Sequence, residues 1–165
     1  MSPEGVPVRA YGGWLGLAAV LVALDQATKL WAEAALVLGR PVELLPFLSL
    51  TLGYNPGAAF SLLGDAGGWQ RWVLAALAAG ISAYLLLWLR RAAQGQPLLA
   101  AALALVLGGA VGNLIDRLRL GEVVDFIHLH YAGFHWPVFN VADMAITLGV
   151  GLLILSLFRE ARGAG

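Results

Sequence analysis

The sequence predicts a mainly α-helical membrane protein, with four transmembrane helices and a small extramembrane β-rich platform and loop on the outer face. Of its 165 residues, 60% are hydrophobic and 12% are charged, whereas soluble domains are about 25% charged. Mean hydropathy is +0.80. Four apolar stretches approach the length of about 20 residues that a bilayer requires. We therefore expect one integral membrane domain over residues 1–165.

The first predicted span covers about 13–31 and has Asp25 and Lys29 near its far end. A cleaved signal peptide is the alternative, because Arg9, the apolar run and the triplet at 32–34 imitate one. Asp25 and Lys29 interrupt the run before the cleavage point, so we expect a retained helix. The other spans are predicted at about 69–89, 97–115 and 140–158. Three glycines in the third span allow close helix contact: Gly108, Gly109 and Gly112.

Two loops, about 33–68 and 117–139, separate the first span from the second and the third from the fourth. The first loop cannot be one continuous helix, because it contains Pro41, Pro46 and Pro56. Residues 48–52 alternate with period two, and residues 123–130 are also β-like, so we expect a short sheet. The segment Asn55-Pro56-Gly57-Ala58-Ala59-Phe60 is either a plain turn or a place where the backbone approaches a ligand closely.

Because each of the four spans crosses the membrane once, alternate connections lie on the same side. One side therefore holds the far end of the first span, both loops, the end of the third span and the start of the fourth. Most of the polar residues at span ends fall on that side. Lysine and arginine number five on each side, but those opposite the polar cluster are concentrated in short segments. The positive-inside rule therefore places both termini in the cytoplasm and the polar cluster on the outer face.

Asp125 and Asp143 are the candidates for chemistry. Period two places Asp125 on an apolar strand face, where an acid needs a partner or a task. Asp143 lies three residues after Asn140 at a helix start, which is also the spacing of a capping pair. If the strand folds back over the helix ends, the two carboxylates meet and share a proton, as in aspartyl peptidases. Proton relays and ion paths also use paired acids in membranes.

Other polar residues near these acids have both structural and functional interpretations. Asn113, Asp116 and Arg117 lie together at a helix end. Helix termination and an ion pair between Asp116 and an arginine would explain them, as would orienting the acids or holding a substrate carbonyl. Asp25 and Lys29, at spacing i and i+4, form either an intrahelical pair alone or a support of the site.

Several classes of function are not indicated. The formal charge is zero with no long basic run, which argues against nucleic acid as a partner. The chain has no cysteine, which excludes disulfides and thiolate catalysis. His128 and His130 share a strand face with His135 near in sequence, a spacing that can hold a metal. No His-Glu-x-x-His motif is present, so we interpret them as interfacial polar residues and expect no metal.

Five motifs occur in order across the four spans. They are Asp25-Gln26-Ala27-Thr28-Lys29, Asn55-Pro56-Gly57-Ala58-Ala59-Phe60, Gly112-Asn113-Leu114-Ile115-Asp116-Arg117, Val123-Val124-Asp125-Phe126-Ile127 and Phe139-Asn140-Val141-Ala142-Asp143. Together they closely resemble lipoprotein signal peptidase, the bacterial type II signal peptidase, from about residue 14 to 158. The resemblance implies a multi-pass aspartic endopeptidase of the bacterial cytoplasmic membrane. It would remove the signal peptide from diacylglyceryl-modified prolipoproteins, cutting just before the lipidated cysteine.

By motif position, the resemblance assigns the catalytic pair to Asp125 and Asp143. Four further residues match family positions that line the site: Asn55, Asn113, Arg117 and Asn140. Three more match its structural polar support: Asp25, Lys29 and Asp116. It implies no metal or organic cofactor, and lipid-modified signal peptides and membrane lipid as partners; we expect a monomer. The rival hypotheses are a transporter or channel using Asp25, Asp116 and Asp143, a non-catalytic scaffold, and a metalloprotease using the histidines.

Overall fold

A computed structural model describes residues 8–57 and 68–163 and confirms the predicted fold class. Four long apolar helices run through it: α1 (Val8–Ala35), α2 (Gln70–Ala92), α3 (Pro97–Arg119) and α4 (Val141–Gly163). Each is long and apolar enough to cross a membrane. Each overlaps one predicted span, but all four helices are longer, because each continues past charged residues that hydropathy alone assigns to loops. The single-domain division stays a prediction.

Helix α3 is the central helix and the most buried of the four. The glycines predicted to allow close contact do so on two of its sides. A Cβ on Gly108 would meet Leu21 of α1, and one on Gly109 would fall on the backbone carbonyl oxygen of Ala142 in α4. Such small residues let helix backbones approach in a membrane, where packing drives association. The polar ends of α1, α3 and α4 are thereby brought together.

Four antiparallel strands form the predicted platform, in the order β1 (Val42–Leu45), β2 (Leu48–Asn55), β3 (Val123–Tyr131) and β4 (Phe134–His135). Strands β2 and β3 cover the two alternating segments of the sequence. Strand β1 was not predicted, because it is four residues long, flanked by prolines and exposed on every residue. Residues 58–60 of the predicted turn lie outside the described part of the chain.

The platform is fastened to the helices at the start of β3. Helix α3 ends in a turn in which Gly121, at φ +89°, donates its N–H to the carbonyl of Arg117. The chain then enters β3, and the Val124 N–H donates to the Asp116 carboxylate at 3.2 Å. Val124 and Phe126 pack with Leu52 and Ala32 in a small apolar core. Asp125 is therefore held at the helix ends by both its neighbours.

Candidate active site

The structure brings Asp125 and Asp143 to the same residue, Asn140. The Asn140 side-chain Nδ2 donates to Asp125 Oδ1 at 2.7 Å, and its backbone N–H donates to Asp143 Oδ2 at 3.3 Å. Asp125 comes from the platform and Asp143 from the first turn of α4. The strand thus folds back over the helix ends, and one asparagine links the two carboxylates.

The capping pair expected at the start of α4 is also present. Asn140 Oδ1 accepts the Asp143 N–H at 2.9 Å while Asp143 Oδ2 accepts the Asn140 N–H, which is the reciprocal arrangement of a capping box. Asp25 of α1 completes the cap by accepting the Ala142 N–H at 2.9 Å. The same contacts therefore cap the helix and bring the acids together, so the capping interpretation and the functional interpretation are compatible.

Asp125 lies in an environment that disfavours its charge. The residue is 5% exposed. Burial, followed by the negative charge of Asp143, raises the pKa of Asp125 to about 7, while hydrogen bonds from the Asn140 and Asn55 side chains act in the opposite direction. A carboxyl group with such a pKa can hold or release a proton near neutral pH, as acid–base catalysis requires.

Lys29 organises the buried polar residues that support the two acids. Its ammonium group is completely buried and lies 2.8 Å from both Asp25 and Asp116. It also donates to Asn113 Oδ1 at 2.8 Å, and Asn113 Nδ2 donates to Asp143 Oδ1 at 2.8 Å. Because Lys29 occupies the amide oxygen, the amide nitrogen of Asn113 must face Asp143. One buried cation therefore fixes which group meets the candidate catalytic acid.

Gln26 also belongs to this network, which its sequence position did not predict. Its Nε2 atom donates to Asp116 Oδ1 at 3.0 Å, to the Gly112 carbonyl at 3.1 Å and to Asp25 Oδ2 at 3.2 Å. The available signal was a glutamine inside an apolar span, next to Asp25. Gly112 is required here, because a Cβ at that position would meet Asp25 at 2.5 Å.

Arg117 and Asn55 connect the long loop to the site. Arg117 Nη2 donates to the Gly57 carbonyl at 3.0 Å, and Arg117 Nη1 donates to the Asn113 carbonyl at 3.3 Å. Asn55 Oδ1 accepts the Gly57 N–H at 3.0 Å, closing a local turn, and its side chain also hydrogen-bonds Asp125. The Asn55-Pro56-Gly57 segment is thus a turn that also reaches the carboxylates.

Two alternatives from the sequence are now decided. The predicted ion pair of Asp116 with an arginine is wrong, because within residues 8–57 and 68–163 its cationic partner is Lys29. The intrahelical pair of Asp25 and Lys29 is confirmed, but Lys29 reaches two further partners on α3. An ion path through Asp25 and Asp116 is disfavoured, since both already hold the same buried ammonium group.

The three histidines lie on the platform, outside this network. His128 is paired across strands with Ser49, and His130 with His135. Across the described ranges, no three His, Asp or Glu side chains are arranged to hold a metal ion. None of the contacts of Asp125 or Asp143 described above involves a histidine.

The chain is similar to a protein family, to curated relatives and to a solved structure. The family model described as signal peptidase (SPase) II matches residues 17–159. A lipoprotein signal peptidase of Acinetobacter baumannii is 52% identical over 145 residues, covering 88% of this chain and 82% of that protein. Another, of Pseudomonas putida, is 50% identical over 151 residues, with coverages of 90% and 88%. A bacterial membrane enzyme solved by the in meso method at 2.3 Å resolution has a TM-score of 0.84 and 33% identity, over 93% of this chain and 92% of that one.

Proposed function

Since this chain belongs to the signal peptidase II family, we propose that it is an aspartic endopeptidase with Asp125 and Asp143 as its catalytic pair. Family membership makes it a multi-pass bacterial membrane protein that removes signal peptides from prolipoproteins. The finer proposal is that the substrate carries a diacylglyceryl group and that the cut falls just before the lipidated cysteine. The observation that carries the catalytic assignment is the junction at Asn140, where a strand and a helix start each present one buried acid.

The hydrogen bonds support a division of labour between the two acids. Both Asp143 oxygens accept from nitrogen donors, Asn113 Nδ2 and the Asn140 N–H, which favour the ionised carboxylate. Asp143 also lies in the first turn of α4, where the helix dipole stabilises negative charge. Asp125 has a pKa of about 7 and can hold the proton. Because the two acids are coupled, the measured pKa values belong to the pair.

This division gives a balanced hydrolysis. Asp143 takes a proton from water as the water oxygen bonds to the scissile carbonyl carbon, and Asp125 donates its proton to the carbonyl oxygen. The tetrahedral intermediate then breaks its C–N bond as Asp143 passes its proton to the leaving amine. A hydroxyl of the intermediate returns a proton to Asp125, restoring the starting state. The reaction uses two carboxylates and a water molecule, and it needs no metal or organic cofactor.

The remaining site residues are proposed to hold the acids and the substrate. Asn113 and Asn140 orient the carboxylates, and Asn55 and Arg117 lie where a peptide backbone entering between loop and helices would pass. Asp25, Lys29 and Asp116 form the buried charge network beneath them. Each residue would act through hydrogen bonds that already exist in the described network.

A lipidated substrate requires the site to lie at the membrane boundary. Burying each methylene of an acyl chain is worth about 0.8 kcal/mol, so the substrate does not leave the bilayer readily. The β1–β2 hairpin exposes apolar side chains, among them Leu44 at 53% and Phe47 at 48%. We propose that this hairpin rests on the lipid surface while the signal helix enters sideways, with both chain termini in the cytoplasm and the active site at the outer face. The enzyme is proposed to act as a monomer.

Cleavage of a defined substrate tests the finer proposal. The purified protein in detergent, with EDTA present, is given a diacylglyceryl-modified prolipoprotein and a control in which serine replaces the lipidated cysteine. We expect only the lipidated protein to be cut, and the mass of the product to place the new N-terminus at the modified cysteine. Equal cleavage of the serine control, a different cut position, or loss of activity in EDTA would contradict the proposal.

A further inference from the structure

Three histidines meet on one face of the β3–β4 hairpin. His128 and His130 are two residues apart on β3, so they point to the same face, and His135 is the cross-strand partner of His130. The turn between the strands, Ala132 at φ 50° and Gly133 at φ 84°, is the tight type that brings the ends into register. The three ring centroids lie 5.2–5.7 Å apart.

Two of the ring nitrogens are spaced as ligands of one metal ion are. His135 Nδ1 and His128 Nε2 are 3.2 Å apart. Two imidazole nitrogens bound tetrahedrally to Zn²⁺, at about 2.0–2.1 Å each, are separated by about 3.3–3.4 Å. Replacing the proton between these nitrogens with a cation requires only that each ring turn by about 35°, so that its lone pair points at the ion. Both rings belong to exposed or half-exposed side chains that have room to do so.

The surroundings of the rings are those that orient metal-binding histidines. Ser49 Oγ lies 3.3 Å from His128 Nδ1, where it can accept that N–H and leave the Nε2 lone pair facing His135. Glu43 Oε2 lies 3.2 Å from His130 Nε2, near enough for charge attraction but not aligned as a hydrogen bond, so the orienting contact is that of Ser49. A hydroxyl or a carboxylate on the second ring nitrogen fixes the tautomer and the ring orientation of a metal-binding histidine. The Glu43 contact comes from β1 and the Ser49 contact from β2, so residues of all four strands surround the three rings.

We propose that His128 and His135 form a two-imidazole site for a borderline transition-metal cation such as Zn²⁺, completed by water and by rotation of His130. Within the described residues, no three ligand atoms converge on one point. The third ligand to the cation therefore reaches its position only when the cation binds. Neutral imidazole nitrogens suit Zn²⁺, Ni²⁺ and Cu²⁺, whereas Mg²⁺ and Ca²⁺ require oxygen ligands. The site therefore discriminates between these two groups of ions.

This site is separate from the hydrolytic reaction. His128 lies three residues along β3 from Asp125, about 10 Å in an extended strand. Strand β4 is held to β3 by two residue pairs, and just beyond it the Trp136 N–H donates to the Leu129 carbonyl. A bound cation would add a cross-link from His128 to His135, and so would stabilise the tip of the platform. The ion takes no part in peptide cleavage, and this proposal does not depend on the peptidase assignment.

Titration of Zn²⁺ into the purified full chain, free of any polyhistidine tag, tests the site. The sequence contains only three histidines, so imidazole ligation can come from this cluster alone. Isothermal titration calorimetry of the parent should show saturable binding of one Zn²⁺ per chain, and His128→Gln and His135→Gln should each abolish it. Ser49→Ala should weaken binding about tenfold by releasing the His128 ring. Mg²⁺ should produce no saturable heat.

Substitution of Co²⁺ for Zn²⁺ supplies a second readout on the parent protein itself. Tetrahedral Co²⁺ with nitrogen ligands gives a visible absorption band, which should appear in the parent and be absent from both histidine variants, whose folding is checked by circular dichroism. No saturable binding by the parent, or binding that both folded variants retain, would overturn the proposal. Zn²⁺ binding without the cobalt band would likewise overturn it, because the ligands would then be carboxylates elsewhere.

Discussion

Replacing Lys29 with methionine tests the buried charge network most severely. Lys29 is fully buried, and its ammonium group lies 2.8 Å from Asp25 and from Asp116, which are 1% and 0% exposed. Methionine has a similar volume and retains much of the apolar stem, so the change removes the charge with little effect on packing. The variant leaves two carboxylates buried with no cation between them.

The expected loss is large compared with that from an exposed pair. Removing one partner of a buried ion pair costs about 3–5 kcal/mol, because the other charge stays buried and uncompensated. Arg119 and Glu33 form a matched control at 2.7 Å, with side chains 36% and 19% exposed. Such exposed pairs contribute about 0–1 kcal/mol. Lys29→Met should therefore lower the free energy of unfolding by several times as much as Arg119→Met.

Unfolding of the purified protein in detergent, followed by circular dichroism during a denaturant titration, measures both losses. A second variant separates charge from packing: Asp116→Asn in the Lys29→Met background removes one uncompensated carboxylate and should recover part of the stability. If Lys29→Met costs no more than Arg119→Met, or if Asp116→Asn worsens the loss, the network does not stabilise the fold as described here.

Three further predictions concern pH and packing. Cleavage should slow as pH rises through about 7, because Asp125 must hold a proton. Asn140→Ala should move this fall to higher pH, because the variant loses a hydrogen bond that favours the charged form of Asp125. A cleavage rate that does not change from neutral to alkaline pH would contradict this prediction. The pKa of Asp125 is higher in the folded state than in the unfolded state. Its ionisation therefore leaves the free energy of unfolding unchanged below the unfolded-state pKa, and lowers it increasingly as pH rises to about 7. Asp125→Asn should therefore stabilise the protein at pH 8, by up to about 4 kcal/mol, and not at pH 4 in denaturant titrations; equal effects at both would refute the burial argument. Gly109→Ala should destabilise by about 1–3 kcal/mol in thermal unfolding, because its Cβ meets the Ala142 carbonyl, whereas Gly151→Ala, whose Cβ meets nothing within 4 Å, should not; equal effects would show that close α3–α4 contact is unimportant.

Much of the fold followed from local pattern. Hydropathy located the four helices, and period two located β2 and β3, because both signals arise from which face of an element meets the apolar environment. Strand β1 gave no such signal: all four of its residues are exposed, and it is held as a strand by pairing with β2. Strand pairing is a long-range interaction that a short segment does not encode alone.

The polar site was predicted as a set of residues, but only part of its pairing was. Asp25 and Lys29 were paired by helical spacing, whereas the link from Lys29 to Asp116 depends on how α1 packs on α3. Arg117 was the neighbouring cation in sequence, yet it points to Gly57 instead. The role of Gln26 was not predicted, because the sequence does not show which three acceptors will surround an uncharged amide. Similarly, the hairpin turn, and not the motif spacing, brings His135 beside His128.

The catalytic pair is tested by the rate at which Asp125→Asn and Asp143→Asn cleave a diacylglyceryl-modified prolipoprotein. Glu122→Gln, which neutralises a third acid three residues before Asp125, is the matched control. All three variants are first shown to be folded by circular dichroism. The aspartyl mechanism predicts that Asp125→Asn and Asp143→Asn each lose activity by orders of magnitude while Glu122→Gln cleaves like the parent. Near-parental cleavage by either folded aspartate variant would contradict the mechanism.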